Sequence, residues 1–486
     1  MNLERRRTMK FSIVVTSDIH GQVERFAQLS KQIASLKPEI LIDNGDLTQG
    51  SAISYYYQYI KKETHPLIEQ MNALKYDVAV FGNHEFNDSL DVLQEMRQKC
   101  TFHWIVCNVG DFAQKYIVKD IDGLKVAIIG AVTHFVPLWD EWQKTPIEFE
   151  DAFVAIKETV SYVRENEQVN LVIVSYHGGF EKDPMTNLAF CADDGENQGY
   201  KILHEIEGID VLITGHQHIQ IATEVNGTIV VQPGAHAKSF AKIDLYYENG
   251  QFKKEATILS LKESDSTWKD AEYDNWAKTQ IAQLQYNATY DDFFEPRMKP
   301  HPFVNLIHTM QLKFTKAQLS LVELPYHAQG GFTQVITNED LHYNFPRLNF
   351  LKVIEMSGRE IREALELSAA VFALNTAGDI DFSASVYYPE LHPYVYDMWG
   401  GLDYEINLSK PVGQRIEKMS YQNAPVKDSD LFEVVINSYR TTGAHGYTMF
   451  CKPAVREIRT PIPQLMTAFL IESTSFDEDG NQTEAY

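Results

Sequence analysis

The chain has 486 residues, roughly three times the 150 typical of one domain, which excludes a single small module. Hydrophobic residues make up 44% and charged residues 23%, near globular averages, so a mainly disordered chain is excluded as well. Lys and Arg number 43 against 67 Asp and Glu, and the resulting charge of −24 repels nucleic-acid backbones, so no polymer nucleic acid is expected as a partner.

The N-terminus carries Arg5-Arg6-Arg7, followed by only a short apolar stretch before Thr16-Ser17-Asp18. A signal peptide needs a longer apolar region and a small-residue cleavage site. The expectation is therefore a cytoplasmic protein starting at Met1 or Met9, or an exported one if a leader has been trimmed. Short apolar runs then predict strands over 11–16, 40–43, 78–81, 104–106, 126–130, 171–175 and 211–214. Helical patterns at 22–36, 89–99 and 153–166 lie between them. Strands at 227–232 and 241–247 read as a meander that closes the first domain, expected over 9–262. A helical linker is expected over 263–295, where Trp268, Trp276, Ile281 and Leu284 mark a partial apolar face. The second domain, 296–472, is predicted to hold helices at 303–314 and 359–370 and strands at 352–356, 402–408 and 431–438, with a polar tail at 473–486. No run of 18 apolar residues suggests a membrane span. Cys100, Cys107, Cys191 and Cys451 form neither a CxxC pattern nor a disulfide framework, which fits a reducing compartment.

Five segments of the first domain place metal-ligating side chains just after an apolar run. They are Ser17-Asp18-Ile19-His20-Gly21, Asn44-Gly45-Asp46, Gly82-Asn83-His84-Glu85, Ser175-Tyr176-His177-Gly178-Gly179 and Gly215-His216-Gln217-His218. In an extended segment, DxH and HxH put both side chains on one side, where imidazole and carboxylate can share an ion. One such turn is weak evidence. Five in order are not explained by chance.

In these segments the chain resembles the calcineurin-like metallophosphoesterases, whose ordered signature is DxH, GDxx, GNHE, a later histidine and GHxH. The resemblance implies two divalent ions bridged by Asp46. Asp18, His20 and His218 would complete one site, and Asn83, His177 and His216 the other. Two such ions polarise phosphoryl oxygens, lower the pKa of water and stabilise in-line displacement. His84 would serve as the catalytic imidazole that hydrogen-bonds the phosphoryl or leaving group, while Asp43 and Glu85 would support the loops and His236 is a further candidate for support. The N/O donor set suits Mn²⁺, Zn²⁺ or Fe²⁺.

The second half resembles the C-terminal domain of the 5′-nucleotidase family, through residues 349–358 and 361–368, 396–416 and 437–447. The fold implied is α/β (α+β): a four-layer αββα metallophosphoesterase sandwich followed by an α+β nucleotide-binding domain. Tyr396 and Tyr439 match the family's two base-sandwiching aromatics, and Arg440 is a candidate substrate contact, a structural salt bridge being its alternative. Three departures narrow the reading. Asn87 stands where the family has an aspartate beside the catalytic histidine, so His84 should be less readily protonated. No arginine occupies 325–334, and Gly443-Ala444-His445-Gly446 replaces GGDG. These features, with Asn437-Ser438-Tyr439-Arg440, are more similar to the 2′,3′-cyclic-nucleotide 2′-phosphodiesterase/3′-nucleotidase branch. The expected function is metal-dependent hydrolysis of 2′,3′-cyclic nucleotides and 3′-nucleotides. The alternatives are a 5′-nucleotidase or UDP-sugar/nucleotide pyrophosphatase, and, outside enzymes, a nucleotide-binding interaction protein with a retired site.

Overall fold

The computed structural model describes residues 9–87, 89–139, 147–191, 193–262, 268–325, 327–387 and 393–472; the tail at 473–486 lies outside them. Two compact units meet in sequence between Asp270 and Ala271.

The first unit is built on two six-stranded sheets. One contains β1 (Met9–Thr16), β2 (Ile40–Asp43), β3 (Val78–Val80) and β4 (His103–Ile105), all parallel, extended by antiparallel β11 (Ser239–Glu248) and β12 (Gln251–Ser260). The other runs in the order β5 (Tyr116–Ile121), β6 (Leu124–Val132), β7 (Leu171–His177), β8 (Val211–Ile213), β10 (Thr228–Pro233) and β9 (Gln220–Val225). Because side chains alternate along a strand, each apolar run serves two cores. Ile13, Val15, Ile42 and Val80 meet Val126, Ile128, Ile173 and Ile213 between the sheets. Val14, Leu41 and Ala79 face the opposite way, toward helices Val23–Leu36 and Pro66–Leu74. Ala127, Val172 and Leu212 pack with helices Ala152–Asn166 and Gly199–Glu205. The order is helix, sheet, sheet, helix.

Strands β5, β9 and β12 escape prediction because each is an edge that buries little. Residues 251–260 alternate between exposed and half-buried, with Lys253, Lys254 and Glu255 diluting the apolar signal. Among its described residues, the stretch expected as a linker helix contains the helix Ala271–Ala277, then two short strands of the second unit, Gln280–Gln283 and Ala288–Tyr290, and ends where the helix Glu295–Met298 begins. Ala288 and Tyr290 are buried by pairing with Gly330–Phe332, a long-range contact that local helix propensity does not reveal.

The second unit centres on a five-stranded sheet of Asp397–Gly400, Leu319–Glu323, Leu431–Asn437, Leu351–Ser357 and Arg456–Ile458. Helix Pro302–Thr315 packs into one of its cores and helix Gly358–Ala369 into the other. The latter helix opens with a capping box in which Ser357 and Glu360 exchange hydrogen bonds. Among the described residues, no helix is long and apolar enough to cross a membrane.

Candidate metal centre

The parallel strands of both sheets of the first unit end at one rim, where an open α/β sheet leaves its crevice. Asp18 follows β1, Asp46 follows β2, Asn83 follows β3, His177 ends β7 and His216 follows β8. Backbone bonds lace the turns together: Asp18 N–H donates to Gly45 O at 2.9 Å, His20 N–H to Asp46 O at 3.0 Å, and His236 N–H to Asp18 O at 2.7 Å. Asp18, His20, Asp46, His216, His218 and His236 all have φ between 50° and 68°, a left-handed conformation costly for residues with a Cβ and concentrated at functional sites. Gly82 cannot be replaced cheaply, since an added Cβ would lie 2.5 Å from the Asp46 amide nitrogen and 2.8 Å from His177 Cε1.

Glu85 supports the turns from below. Its buried carboxylate accepts the amide hydrogens of Gly82 at 2.6 Å, Asp46 at 2.9 Å and Leu47 at 2.8 Å. Burial and the Asp46 charge raise it to about 7, partly offset by those amides. Asp43, raised to about 8 by burial, accepts from Thr16 Oγ1 at 2.7 Å and Gly45 N at 3.1 Å.

Three groups of ligand atoms, each within 4.8 Å of one another, result: Asp18–His20–His218, His20–Asp46–His84 and Asp46–His177–His216. Asp46 and His20 each belong to two of them. The donor set fits divalent ions. His20 Nδ1–H points at Gln49 O, 3.1 Å away, which leaves the Nε2 lone pair facing His218 Nε2 at 3.0 Å. Burial drives both imidazoles well below their ordinary pKa, so they are neutral donors. His177 Nδ1–H donates to Asn44 O at 2.5 Å, and its Nε2 lies 3.2 Å from Asp46 Oδ2, buried and without a hydrogen bond. Burial opposes a charge on His177, but the Asp46 carboxylate prevails and raises it to about 10. Burial likewise opposes charge on Asp46, yet His177, His84 and His20 hold its carboxyl well below the usual range. Asp18, raised to about 6 mainly by burial, takes a hydrogen bond from Ser17 Oγ at 2.5 Å. Carboxylate oxygens and imidazole nitrogens thus converge in a buried pocket of high negative potential, which suits a cation.

His84 joins this group through its backbone, its amide donating to Asp46 Oδ1 at 2.8 Å. Its Nδ1–H meets Asn87 Oδ1, and its Nε2 is 3.9 Å from Asp46 Oδ2. The His236 ring lies 5.3 Å from that of His20 and 5.2 Å from that of His218. Two neighbours were not legible from sequence. Glu196 Oε1 is 3.0 Å from His216 Nε2, and the Trp139 indole stacks on the His216 ring at 5.6 Å and 18°. Neither sits in a turn beside a ligand, and only the close approach of the loops brings them there.

The second unit places its candidates differently. Tyr396 is 3% exposed, packed edge-to-face on Phe372 in the main core, and offers no free stacking face. It directly precedes the strand Asp397–Gly400, whose pairing with Leu319–Glu323 carries it inward. Arg440 is 1% exposed. Its Nε–H donates to Asp397 Oδ1 at 2.9 Å, its Nη2 is 2.7 Å from Asp397 Oδ2, and its Nε is 3.1 Å from Glu323 Oε2. The structure thus places Arg440 in a buried ion pair, the alternative given for it above, and its guanidinium lies over Tyr447 at 4.5 Å. Tyr439 remains half-exposed, its hydroxyl 3.3 Å from His445 Nε2 and its ring under the Arg347 guanidinium at 5.7 Å. Half-exposed Tyr394 meets the same His445 at 5.3 Å.

Residues 11–220 match the family model of the calcineurin-like phosphoesterases, and residues 280–452 match that of the 5′-nucleotidase C-terminal domain. The chain therefore unites a calcineurin-like phosphoesterase domain with a 5′-nucleotidase C-terminal domain. Its relatives are hydrolases. It is 26% identical to the trifunctional nucleotide phosphoesterase protein YfkN of Bacillus subtilis over 90% of this chain, and spans 36% of that longer protein. It is 25% identical to the 2′,3′-cyclic-nucleotide 2′-phosphodiesterase/3′-nucleotidase of Yersinia enterocolitica, over 89% of this chain and 76% of that one. Among solved structures, a Staphylococcus aureus protein assigned to the 5′-nucleotidases and crystallised with alpha-ketoglutarate shares 28% identity at a TM-score of 0.88, over 95% of this chain and 96% of that one. The calcineurin-like domain implies divalent metal ions, and the three ligand groups are compatible with them.

Proposed function

We propose that this phosphoesterase hydrolyses 2′,3′-cyclic nucleotides to 3′-nucleotides, and 3′-nucleotides to nucleoside and phosphate. The observation that carries the reading is the convergence of five turns on ligand groups that share Asp46 and His20. The names of the nucleotide phosphodiesterase and nucleotidase relatives support the substrate class.

Asp18, His20 and His218 would hold one ion and Asn83, His177 and His216 the other, with Asp46 common to both; Mn²⁺, Zn²⁺ or Fe²⁺ suits these nitrogen and oxygen donors. When bound, such a pair polarises the phosphoryl group, acidifies water and offsets the charge of in-line displacement. The chain contributes the rest. Asp46, although buried, is held ionised chiefly by His177 and keeps its charge throughout the neutral range, as a carboxylate shared by two ions would need. His84 directs Nε2 toward the ligand groups and its Nδ1–H toward Asn87, the orientation needed to give a proton at Nε2 to the departing ester oxygen. In the second unit Tyr439, beside Tyr394 and His445, is the aromatic surface assigned to the nucleobase, because any base can stack there. Tyr439→Ala should raise KM more than it lowers kcat.

The products formed from 3′-AMP, 2′,3′-cyclic AMP, 5′-AMP and UDP-glucose, separated by chromatography and measured with each metal ion, test the reading. Turnover of the first two substrates should exceed that of the others, and Asp46→Ala should lower it by about 10³-fold, the scale of losing a main electrostatic stabiliser. Preference for 5′-AMP or UDP-glucose would assign the chain to the 5′-nucleotidases or pyrophosphatases instead. Full turnover by Asp46→Ala would remove the mechanism.

A further inference from the structure

His216 is held by two groups from outside the ligand set, Trp139 and Glu196. One face of its ring is covered by Trp139, and the edge of His177 meets it at 5.8 Å and 67°. These contacts hold the plane of the imidazole but leave open which nitrogen carries hydrogen. Glu196 decides that. Two acceptors compete for the one N–H of the neutral ring, Glu196 Oε1 at 3.0 Å from Nε2 and Asn83 Oδ1 at 2.9 Å from Nδ1, and the charged carboxylate is the stronger, so the Nε2–H goes to Glu196 and the Nδ1 lone pair is left on the side of Asn83.

The loop carrying Glu196 is built to hold it there. Its backbone carbonyl accepts from Thr133 Oγ1 at 2.8 Å and Tyr176 O–H at 3.2 Å. Asn197 Oδ1 accepts the Gly179 amide at 2.7 Å, and Gln198 Oε1 accepts the Phe153 amide at 2.9 Å. Residues 196–198 are thereby tied to β6's extension, to β7, to the turn after it and to helix Ala152–Asn166. The sequence gives no hint of this function, since Glu196 stands 20 residues from His216 in a stretch of acidic and amide residues.

We propose that Glu196 is a positioning residue for one of the two ions, the one assigned to Asn83, His177, His216 and Asp46. It fixes the Nδ1-donor tautomer of His216 and makes that nitrogen a stronger donor. A carboxylate behind a ligating imidazole acts in this way, and its loss weakens metal affinity by roughly 10–100-fold. The other site, Asp18–His20–His218, uses a backbone carbonyl, Gln49 O, in the corresponding place behind His20. The two sites therefore differ in the partner that orients an imidazole, and loss of Glu196 should affect them unequally.

The inference rests on the dimetal reading, and titration of metal-free protein with Mn²⁺, followed by calorimetry and electron paramagnetic resonance, separates the two. Wild-type protein should bind two ions and show a spin-coupled pair. Glu196→Ala should bind one ion with unchanged affinity and the second about 10–100-fold more weakly, so that the coupled signal gives way to that of a single ion at limiting Mn²⁺. Glu196→Gln keeps an oxygen acceptor in the same volume and should restore part of the loss, which also guards against a folding defect in the alanine variant. Two ions bound with wild-type affinities in both variants would overturn the role of Glu196 alone. Equal weakening of both ions would overturn its selectivity and reduce it to general support. A wild-type protein that binds fewer than two ions would instead overturn the dimetal reading itself.

Discussion

His84 and Asn87 form a pair in which an amide oxygen takes the place of a carboxylate. An amide accepts the Nδ1–H but brings no negative charge, so it orients the ring without stabilising the imidazolium. If His84 gives its proton to the leaving group, activity is lost as pH rises through its pKa. Asn87→Asp adds a charge beside the imidazole, raises that pKa, and should move the alkaline limb of the pH–rate profile up by about 1–3 units. A profile of kcat for 3′-AMP in the two proteins checks this. An unmoved limb would show that another group supplies the proton. Arg440 shows the converse, because a cation beside an aromatic motif fits both a substrate contact and a salt bridge, and its guanidinium is paired with Asp397 and Glu323 in the interior.

Within elements, Glu85 shows how a short turn is held in shape. Three amides from two turns reach one buried carboxylate, so Glu85→Ala would strand several donors and should destabilise the first unit by about 3 kcal/mol, measurable by urea unfolding of the metal-free protein. The candidate ligands stand out in the sequence as a set, because five apolar runs, each read as a buried strand, are followed by donors of one chemical kind. The central strands were legible for the same reason. Edge strands such as Gln251–Ser260 were not, since a strand buried on one side carries half the signal. The inward turn of Tyr396 and the meeting of Glu196 with His216 depend on register and loop closure between distant segments, which no local pattern encodes.

At the scale of the whole molecule, each unit has its own core, and the ligand groups belong to the first alone. Calorimetry should resolve two transitions, of which only that of the first unit rises with added Mn²⁺, by about 2.7 kcal/mol for each ion bound at one hundred times its Kd. The second unit should respond to acid rather than to metal. Burial lowers His308 to about 3 and His342 to about 4 from the usual 6.5, so both are neutral when folded and readily protonated when unfolded. Their contribution is intact above pH 6.5 and is lost as pH falls toward 3–4, so the second transition should drop through that window. His308→Gln should flatten the decline, and an unchanged slope would remove His308 as its cause.

The rim of the first unit asks six residues with side chains to adopt a backbone shape natural to glycine. Glycine would sit there at ease and ligate nothing. The polypeptide has thus accepted a less comfortable resting form at five of the seven candidate ligands, Asp18, His20, Asp46, His216 and His218. Selection for heat resistance alone would favour glycine at these positions, and the donor atoms would go with the strain.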